Sequence, residues 1–250
     1  NPKLDEGNSS PNPNPKRRRP MGVAEALERL VKPLKSSKDD KFGKAVELFS
    51  RLASSEMTES NAAQFFDAVV PAFSVIEERR DAASGLRRSK EMALLNAFVT
   101  NSGLYDDDQK DAIRRWDLNV YTYVGLESDE SFDFNKSLRK VRASFEALKP
   151  GAAAPPRARG AWCATLLKLL SKVQAAYTSR AFARENVESL LQTVKHNRQH
   201  FDEALRGDLD DLINELETKR TGLAAGPRLA IRRENSRAHP LRNKGNAIMR

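Results

Sequence analysis

Two histidines stand four residues apart in the segment VKHNRQHFDEAL, a spacing found in metal-binding helices. On a helix, His196 and His200 would lie on one face within reach of a single zinc ion. A zinc protease motif would place a glutamate directly after the first histidine, and Asn197 occupies that position. The spacing marks no third ligand. We therefore interpret the pair as solvated side chains on an amphipathic helix and predict no metal or other cofactor.

The single cysteine, Cys163, lies in the apolar segment GAWCATLL. A nucleophile needs a base beside it, and no sequence feature marks one, so we predict a buried structural cysteine. One cysteine excludes an intramolecular disulfide framework and is typical of a reducing compartment. The N-terminus shows no apolar signal segment. We expect a nuclear or cytoplasmic protein that is not secreted.

Carboxylates cluster in YDDDQKD, residues 105–111, and in ESDESFDF, residues 127–134. Paired acids can bind a divalent cation or transfer protons, but both clusters precede predicted helices, where capping and the helix dipole explain them. The chain has neither a G-x-G-x-x-G nor a G-x-x-x-x-G-K-[ST] loop for phosphate. We predict no catalytic residue. An enzyme using an acidic cluster with a metal is the weakest of three function classes.

The net charge of +9 comes entirely from the two ends of the chain. Residues 1–20 and 221–250 are rich in lysine and arginine, and the acids and bases of residues 21–220 balance. Such basic segments suit the phosphate backbone of RNA or DNA. The residues predicted to contact nucleic acid are Lys16, Arg17, Arg18, Arg19, Arg228, Arg232, Arg233, Arg237, Arg242 and Lys244.

The run from Lys16 to Arg19, followed by Pro20, has three interpretations. It has the form of a nuclear import signal read by an import receptor, it could contact nucleic acid, or it is a solvated charge run. Neither basic segment contains an aromatic residue. Because base stacking needs aromatic side chains, any nucleic-acid binding there is expected to be independent of sequence. No apolar run is long enough to span a membrane, so we predict no membrane partner.

Apolar residues recur at helical spacing along most of the body. A third helix is predicted on the face containing Phe65, Phe66, Val69, Val70 and Phe73, and a fourth on Met92, Leu95, Phe98 and Val99. The only β-prone run is NVYTYVG, residues 119–125. These patterns predict an all-α fold, either a multi-helix bundle or a short irregular α-solenoid of helical hairpins, with disordered or extended basic arms at both ends.

Composition predicts five segments along the chain. Residues 1–20 form a disordered basic leader, 21–148 a helical domain of about six helices, and 149–160 a Pro/Gly/Ala linker. Residues 161–222 form a second helical segment, and 223–250 a basic extended tail. A long C-terminal helix is predicted from Val187 to Leu216, with a break at Gly207 as an alternative.

One apolar seam on this long helix is a candidate protein-binding surface. It either packs on its own domain, which is the default, or pairs with another chain or a second copy. Its residues are Leu205, Leu209, Leu212 and Leu216.

The sequence favours two function classes over the enzyme class. The first is a non-enzymatic helical protein whose body makes protein or self-assembly contacts and whose arms bind RNA or DNA phosphate, as in a viral coat or nucleocapsid subunit or a nuclear ribonucleoprotein component. The second is a nuclear adaptor or scaffold that uses the basic run only for import and does not bind nucleic acid.

Overall fold

The computed structural model describes residues 22–152 and 155–221. Within these ranges helices are joined by short turns and there is no β-strand, which confirms the predicted all-α class. No helix in the described ranges combines the length and the apolar composition needed to cross a membrane. The helices are α1 (Val23–Leu34), α2 (Asp39–Glu56), α3 (Ala62–Arg79), α4 (Gly85–Thr100), α5 (Asp107–Asp117), α6 (Tyr123–Glu127), α7 (Ser131–Glu146), α8 (Arg159–Ser179), α9 (Arg184–Asn197) and α10 (Arg206–Thr221).

The first hydrophobic core is formed by α1 to α5. Helix α1 packs on α2 and α3, and α2 lies beside α4. Aromatic rings fill the centre, where Phe73 stacks on Trp116 with ring centroids 4.0 Å apart and Phe98 meets Trp116 edge-on at 6.0 Å. Burial of such large rings contributes both apolar area and specific ring contacts.

The second core is formed by α6 to α10. Helix α7 packs on α9, and α8 lies between α6 and α10. Phe145 of α7 stacks on Phe201, with centroids 5.9 Å apart. Leu166, Leu169 and Val173 of α8 are fully buried at the centre of this core.

The two cores separate inside one helical stretch rather than at the predicted linker. Residues Leu118–Thr122 form a π-helical turn that joins α5 directly to α6. Leu118 packs in the second core and Val120 in the first. The β-prone run of residues 119–125 is therefore helical. Its aromatic and β-branched residues reflect burial between two cores rather than strand pairing.

The Pro- and Gly-rich segment 149–160 connects two helices of the same core. Leu148 before it and Trp162 after it are both buried in the second core. The backbone N–H groups of Arg157 and Ala158 donate to the Asp111 carboxylate at 3.1 and 3.4 Å. Arg157 and Ala158, just before α8, are thus held against α5, and the described residues on either side of this segment pack in one core.

The long C-terminal helix predicted from Val187 to Leu216 is two helices. Helix α9 ends at Asn197, whose buried amide donates to the Thr193 carbonyl at 2.8 Å. The turn that follows buries Phe201, and the Asp202 carboxylate accepts a hydrogen bond from the Ala204 N–H at 3.0 Å. The break comes before Gly207, which lies in the first turn of α10. A polar cap and a buried ring outweigh helix propensity here.

Buried polar side chains connect the two cores at the π-helical turn. The Asn119 amide donates to Glu77 of α3 at 2.6 Å and lies 3.5 Å from the Thr165 hydroxyl of α8. The Asn119 carbonyl accepts a hydrogen bond from the Arg80 guanidinium, which also lies 4.7 Å from the centre of the Tyr123 ring. Because these partners come from both cores, they fix the cores relative to one another.

Candidate polyanion-binding surface

Five exposed lysines form a row at the junction of α1 and α2. They recur at every third residue through the last turn of α1, the connecting turn and the first turns of α2. None forms an ion pair with any residue of the described ranges. This lysine row consists of Lys32, Lys35, Lys38, Lys41 and Lys44.

Burial of the opposite helix faces places these lysines in solvent. Leu30 and Leu34 of α1 point into the first core, and Phe42, Val46 and Phe49 of α2 do the same. Since a helix turns about 100° per residue, the lysines between these positions fall on the exposed side. The lysine row is therefore a direct consequence of the amphipathic pattern of α1 and α2.

Two acids beside the row are already paired with cations from α4. Asp39 accepts a hydrogen bond from the Ser84 hydroxyl at 2.7 Å and forms an ion pair with Arg87 at 3.4 Å. Glu47 forms an ion pair with Lys90 at 2.7 Å. The Ser84 hydrogen bond is the main cause that lowers the pKa of Asp39, and the Lys90 hydrogen bond has the same effect on the pKa of Glu47. The row keeps a net positive charge because these two carboxylates are paired with Arg87 and Lys90 of α4 rather than with its lysines.

Arg87 is a buried support rather than part of the exposed surface. Its guanidinium lies 4.4 Å from the centre of the Phe42 ring and donates to Glu91 at 3.0 Å. It also donates to the Ser36 carbonyl in the turn between α1 and α2 at 3.1 Å. Burial is the main cause that raises the pKa of Glu91, and the Arg87 charge opposes it. Arg87 thus holds the turn that carries the row and neutralises Asp39.

The row can bind phosphate groups but not read bases. Lysine ammonium groups act as point charges for phosphate, and they carry no base-specific hydrogen-bond pattern. Among the described residues, the exposed aromatic side chains are Phe132 and Phe182, both on the second-core side of the molecule. The row therefore offers no platform for base stacking.

The basic residues predicted to contact nucleic acid lie outside the described ranges. This holds for Lys16, Arg17, Arg18 and Arg19 in the leader, which ends shortly before α1 begins. It also holds for those of the tail: Arg228, Arg232, Arg233, Arg237, Arg242 and Lys244. Their contact with nucleic acid stays a prediction.

The leucine seam packs within its own chain. Leu209 and Leu216 are buried in the second core, and Leu205 and Leu212 are partly buried against it. Their neighbours are apolar residues of α8 and α9, such as Leu170 and Leu191. This is the default interpretation of the seam, and it leaves little apolar surface on α10 for another chain.

The histidines do not share a helix face, because α9 ends between them. His196 is exposed in the last turn of α9, and His200 lies in the 3-10 turn that follows. Within the described ranges, no group of three histidine, cysteine or acidic side chains is placed to hold a metal ion. Cys163 is buried, and its Sγ accepts a hydrogen bond from the Asp202 N–H at 3.4 Å. Burial raises the pKa of the Cys163 thiol.

The acidic cluster before α5 has structural partners. Asp106 forms a capping box with Gln109, as the predicted helix start requires. Asp107 and Asp108 form ion pairs with Arg157 at 2.9 and 3.1 Å. Together with Asp111 they fix the loop before α8 to the start of α5.

The second acidic cluster also contributes to contacts between helices. Glu127 forms ion pairs with Arg88 of α4 and with Lys172 of α8. Asp129 forms an ion pair with Arg180, whose guanidinium also donates to the Glu127 carbonyl at 2.7 Å. Glu127 thus connects α4 of the first core to α8 of the second, and Asp129 holds the turn before α7 to the end of α8.

The lysine row has a signature in the sequence that the total charge of the body does not show. The segment KPLKSSKDDKFGK has a lysine at every third position. Summing charge over the whole body concealed it, because nearby acids cancel the lysines in the total. The signal was the spacing of the lysines, and only the folded structure shows which acids are already paired.

Comparison with protein-family models, curated proteins and solved structures found no match.

Proposed function

We propose that the protein binds the phosphate backbone of RNA or DNA without sequence specificity, through the lysine row and the basic segments on either side of the helical body. The observation that carries this proposal is the row itself, five exposed lysines whose neighbouring acids Asp39 and Glu47 are paired with α4. A local excess of positive charge attracts a polyanion even when the whole body is neutral.

The leader adds positive charge close to the row. Arg19 precedes the first residue of α1, Val23, by four positions, and Lys32 follows Val23 by nine. Nine helical residues span about 14 Å, so Lys32 lies about 14 Å along α1 from Val23, which the leader precedes in the sequence. A single stretch of nucleic acid can contact both.

The proposed role is non-enzymatic. Cys163 is buried, and the carboxylates of both acidic clusters stabilise helix starts and contacts between helices. The body then makes protein or self-assembly contacts, as in a coat or nucleocapsid subunit or a nuclear ribonucleoprotein component.

A salt series of fluorescence anisotropy with unrelated duplex and single-stranded oligonucleotides tests the proposal. The full chain is compared with a variant in which the five lysines of the row are replaced by glutamine. Each phosphate contact contributes about 0.9 to the slope of log K against log salt for duplex and about 0.7 for single strands. Loss of the row is expected to reduce the slope by about 4.5 for duplex DNA, if all five lysines contact phosphate.

A control variant replaces three exposed lysines outside the row, Lys136, Lys168 and Lys219, by glutamine. It should retain the salt slope of the full chain. A variant lacking residues 1–20 and 223–250 separates the row from the basic ends, and circular dichroism checks that each variant is folded. An unchanged slope in the row variant would remove the row from the proposal. Absence of binding by the full chain would favour the adaptor class, in which Lys16 to Arg19 serve only an import receptor.

A further inference from the structure

Two serines lie at the centre of the lysine row, and they differ in their contacts. Ser36 is half-buried. Its Oγ accepts a hydrogen bond from the Lys38 N–H at 3.2 Å, and its carbonyl accepts one from Arg87 at 3.1 Å. Ser37 is exposed, and its hydroxyl forms no hydrogen bond with any residue of the described ranges. The row therefore has one free hydroxyl at its centre.

Ser37 lies outside any helix, in the bend between the last residue of α1, Leu34, and the first residue of α2, Asp39. A protein kinase needs a target hydroxyl that is exposed and lies on backbone able to enter its substrate groove. By contrast, Ser54 and Ser74 lie inside helices, where their hydroxyls donate to carbonyls four residues earlier at 2.8 and 3.2 Å. Ser37 is thus placed as an accessible substrate hydroxyl.

The charges beside Ser37 suit a basic-directed kinase, which is one with an acidic substrate groove. Lys35 precedes it by two residues and Lys38 follows it directly, and both are exposed and form no ion pair within the described ranges. Of the two acids that come next, Asp39 is paired with α4, which leaves Asp40 as the free one. Kinases select their substrates by such charge patterns.

The start of α2 can accommodate a phosphate on the residue before its N-cap. Lys38 is the N-cap residue and its side chain makes no capping hydrogen bond, so the first N–H groups of α2 have no side-chain cap. A phosphate on Ser37 would lie at the positive end of this helix dipole, beside Lys35 and Lys38. Modification is therefore expected to leave the turn folded.

From these contacts we propose that Ser37 is a phosphorylation site for a basic-directed serine kinase, and that the phosphate switches the lysine row off as a polyanion-binding surface. The five lysines, less the unpaired acid Asp40, give the row a local charge of +4. A phosphoserine adds about −1.5 to −2 at pH 7, which removes close to half of this charge. The inference rests on the proposed function, because it assigns regulation to the same surface.

The modification is a phosphoryl transfer from ATP. The Ser37 Oγ forms a bond to the γ-phosphorus while the bond between that phosphorus and the β–γ bridging oxygen breaks. ADP leaves with the electron pair of the broken bond, and the hydroxyl proton passes to the catalytic aspartate of the kinase. The chain contributes only the accessible hydroxyl and the charges beside it.

Treatment of the full chain with ATP, Mg²⁺ and a basic-directed serine kinase tests access to the hydroxyl. A synthetic peptide of residues 30–44 is treated in parallel, and mass spectrometry locates the phosphate. We expect both to be modified at Ser37, and Ser37→Ala to abolish incorporation in this segment of the full chain. Modification of the peptide alone would show that the folded turn is inaccessible. That result, phosphate on Ser36 instead, or no modification of either substrate would overturn the proposal.

Site-specific incorporation of phosphoserine at position 37 during translation tests the switch itself. In the anisotropy salt series with duplex DNA, the slope is expected to fall by about 1.8, the value of two phosphate contacts, and binding at 0.1 M salt to weaken at least about tenfold. The control is phosphoserine at position 60. Ser60 is exposed beyond the far end of α2, whose 18 residues span about 27 Å, well over the Debye length of about 10 Å. Its modification should leave the slope unchanged.

The unmodified chain in the same series separates this inference from the proposed function. If the unmodified chain binds through the row but phosphoserine at position 37 has no more effect than at position 60, only the inference fails. If the unmodified chain does not bind, the proposed function fails first. Urea unfolding followed by circular dichroism completes the test. The chain modified at Ser37 should keep its urea midpoint, and a lower midpoint would attribute weaker binding to damage of the turn and contradict the charge mechanism.

Discussion

Arg87 of α4 forms an ion pair with Asp39 at the first residue of α2, with Nη1 and Oδ1 3.4 Å apart. The same guanidinium donates to Ser36 in the preceding turn. One buried cation therefore holds the turn between α1 and α2 and neutralises the acid Asp39 beside the lysine row. This contact helps to leave the row with a net positive charge inside a neutral body.

Asp40 is the exposed acid within the row that has no ion-pair partner in the described ranges. Asp40→Asn is expected to tighten nucleic-acid binding about twofold at low salt, because it removes one exposed repulsive charge of about 0.3–0.5 kcal/mol. Anisotropy titrations measure the change. Asp67→Asn, at an exposed acid of α3, should leave the affinity unchanged. Equal effects of the two changes would show that only total charge matters.

The leucine seam gives a test of packing. Leu209→Ala is expected to lower the free energy of unfolding by about 2–5 kcal/mol, because Leu209 is fully buried in the second core. Leu205→Ala should cost less, since Leu205 is only partly buried. Urea unfolding followed by circular dichroism compares the two. A small loss for Leu209→Ala with weaker self-association would instead place the seam at an interface.

Substitutions of Asp111 and of Arg157 compare the loss of a buried contact with the loss of an exposed one. Asp111→Ala removes the acceptor of two backbone N–H groups and an ion-pair partner of Arg114. We expect a loss of about 2–3 kcal/mol in the free energy of unfolding. Arg157→Ala removes exposed ion pairs and should cost at most about 1 kcal/mol. Urea unfolding measures both, and equal losses would contradict the role given to Asp111.

Ionisation of the buried Tyr105 hydroxyl is expected to lower the free energy of unfolding at alkaline pH. Burial raises the pKa of Tyr105 to about 12, from its usual value of 10.0. Its hydroxyl lies 3.2 Å from the Met57 sulfur in the first core. Since the folded pKa is raised, the contribution of this group is present below pH 10 and is lost as the pH rises toward 12. Two pKa units correspond to about 2–3 kcal/mol.

The comparison of wild type with Tyr105→Phe isolates this contribution. The variant should lose less stability than wild type between pH 10 and 12, as measured by urea unfolding at each pH. Tyr121→Phe serves as a second variant, because the Tyr121 hydroxyl is only partly buried and donates to the Met92 carbonyl. Parallel pH profiles for wild type and Tyr105→Phe would contradict the assignment.

Much of the local structure follows from residue order alone. The period of apolar residues predicts the buried faces of the helices, and the acids before α5 predict its start, which the Asp106–Gln109 capping box confirms. Val70 and Val99 are exceptions, because they follow the apolar pattern but remain exposed. Periodicity identifies a helix face and not what covers it. Val70 and Val99 lie where no helix of the described ranges covers them fully.

Long-range contacts decided the features that sequence analysis placed wrongly. A proline-rich loop looks like a domain boundary, but Asp111 binds its backbone and Leu148 and Trp162 share one core. A leucine-rich stretch looks like one long helix, but Phe201 is buried at a break held by Asn197 and Asp202. Each feature also has a contact from far away in the sequence: Asp111 lies 46 residues from Arg157, and Phe145 of α7 stacks on Phe201 at the break.

By itself the sequence determined an all-α chain with a neutral body and cationic ends, because helical periodicity and charge are properties of residue order. Tertiary structure alone decided where positive charge remains available in the described ranges. Arg87 and Lys90 reach α2 only after α4 has packed beside it. They pair with Asp39 and Glu47, the acids that offset the charge of the lysine row when charge is summed along the sequence. Ion pairing depends on distance in space, which residue order does not specify.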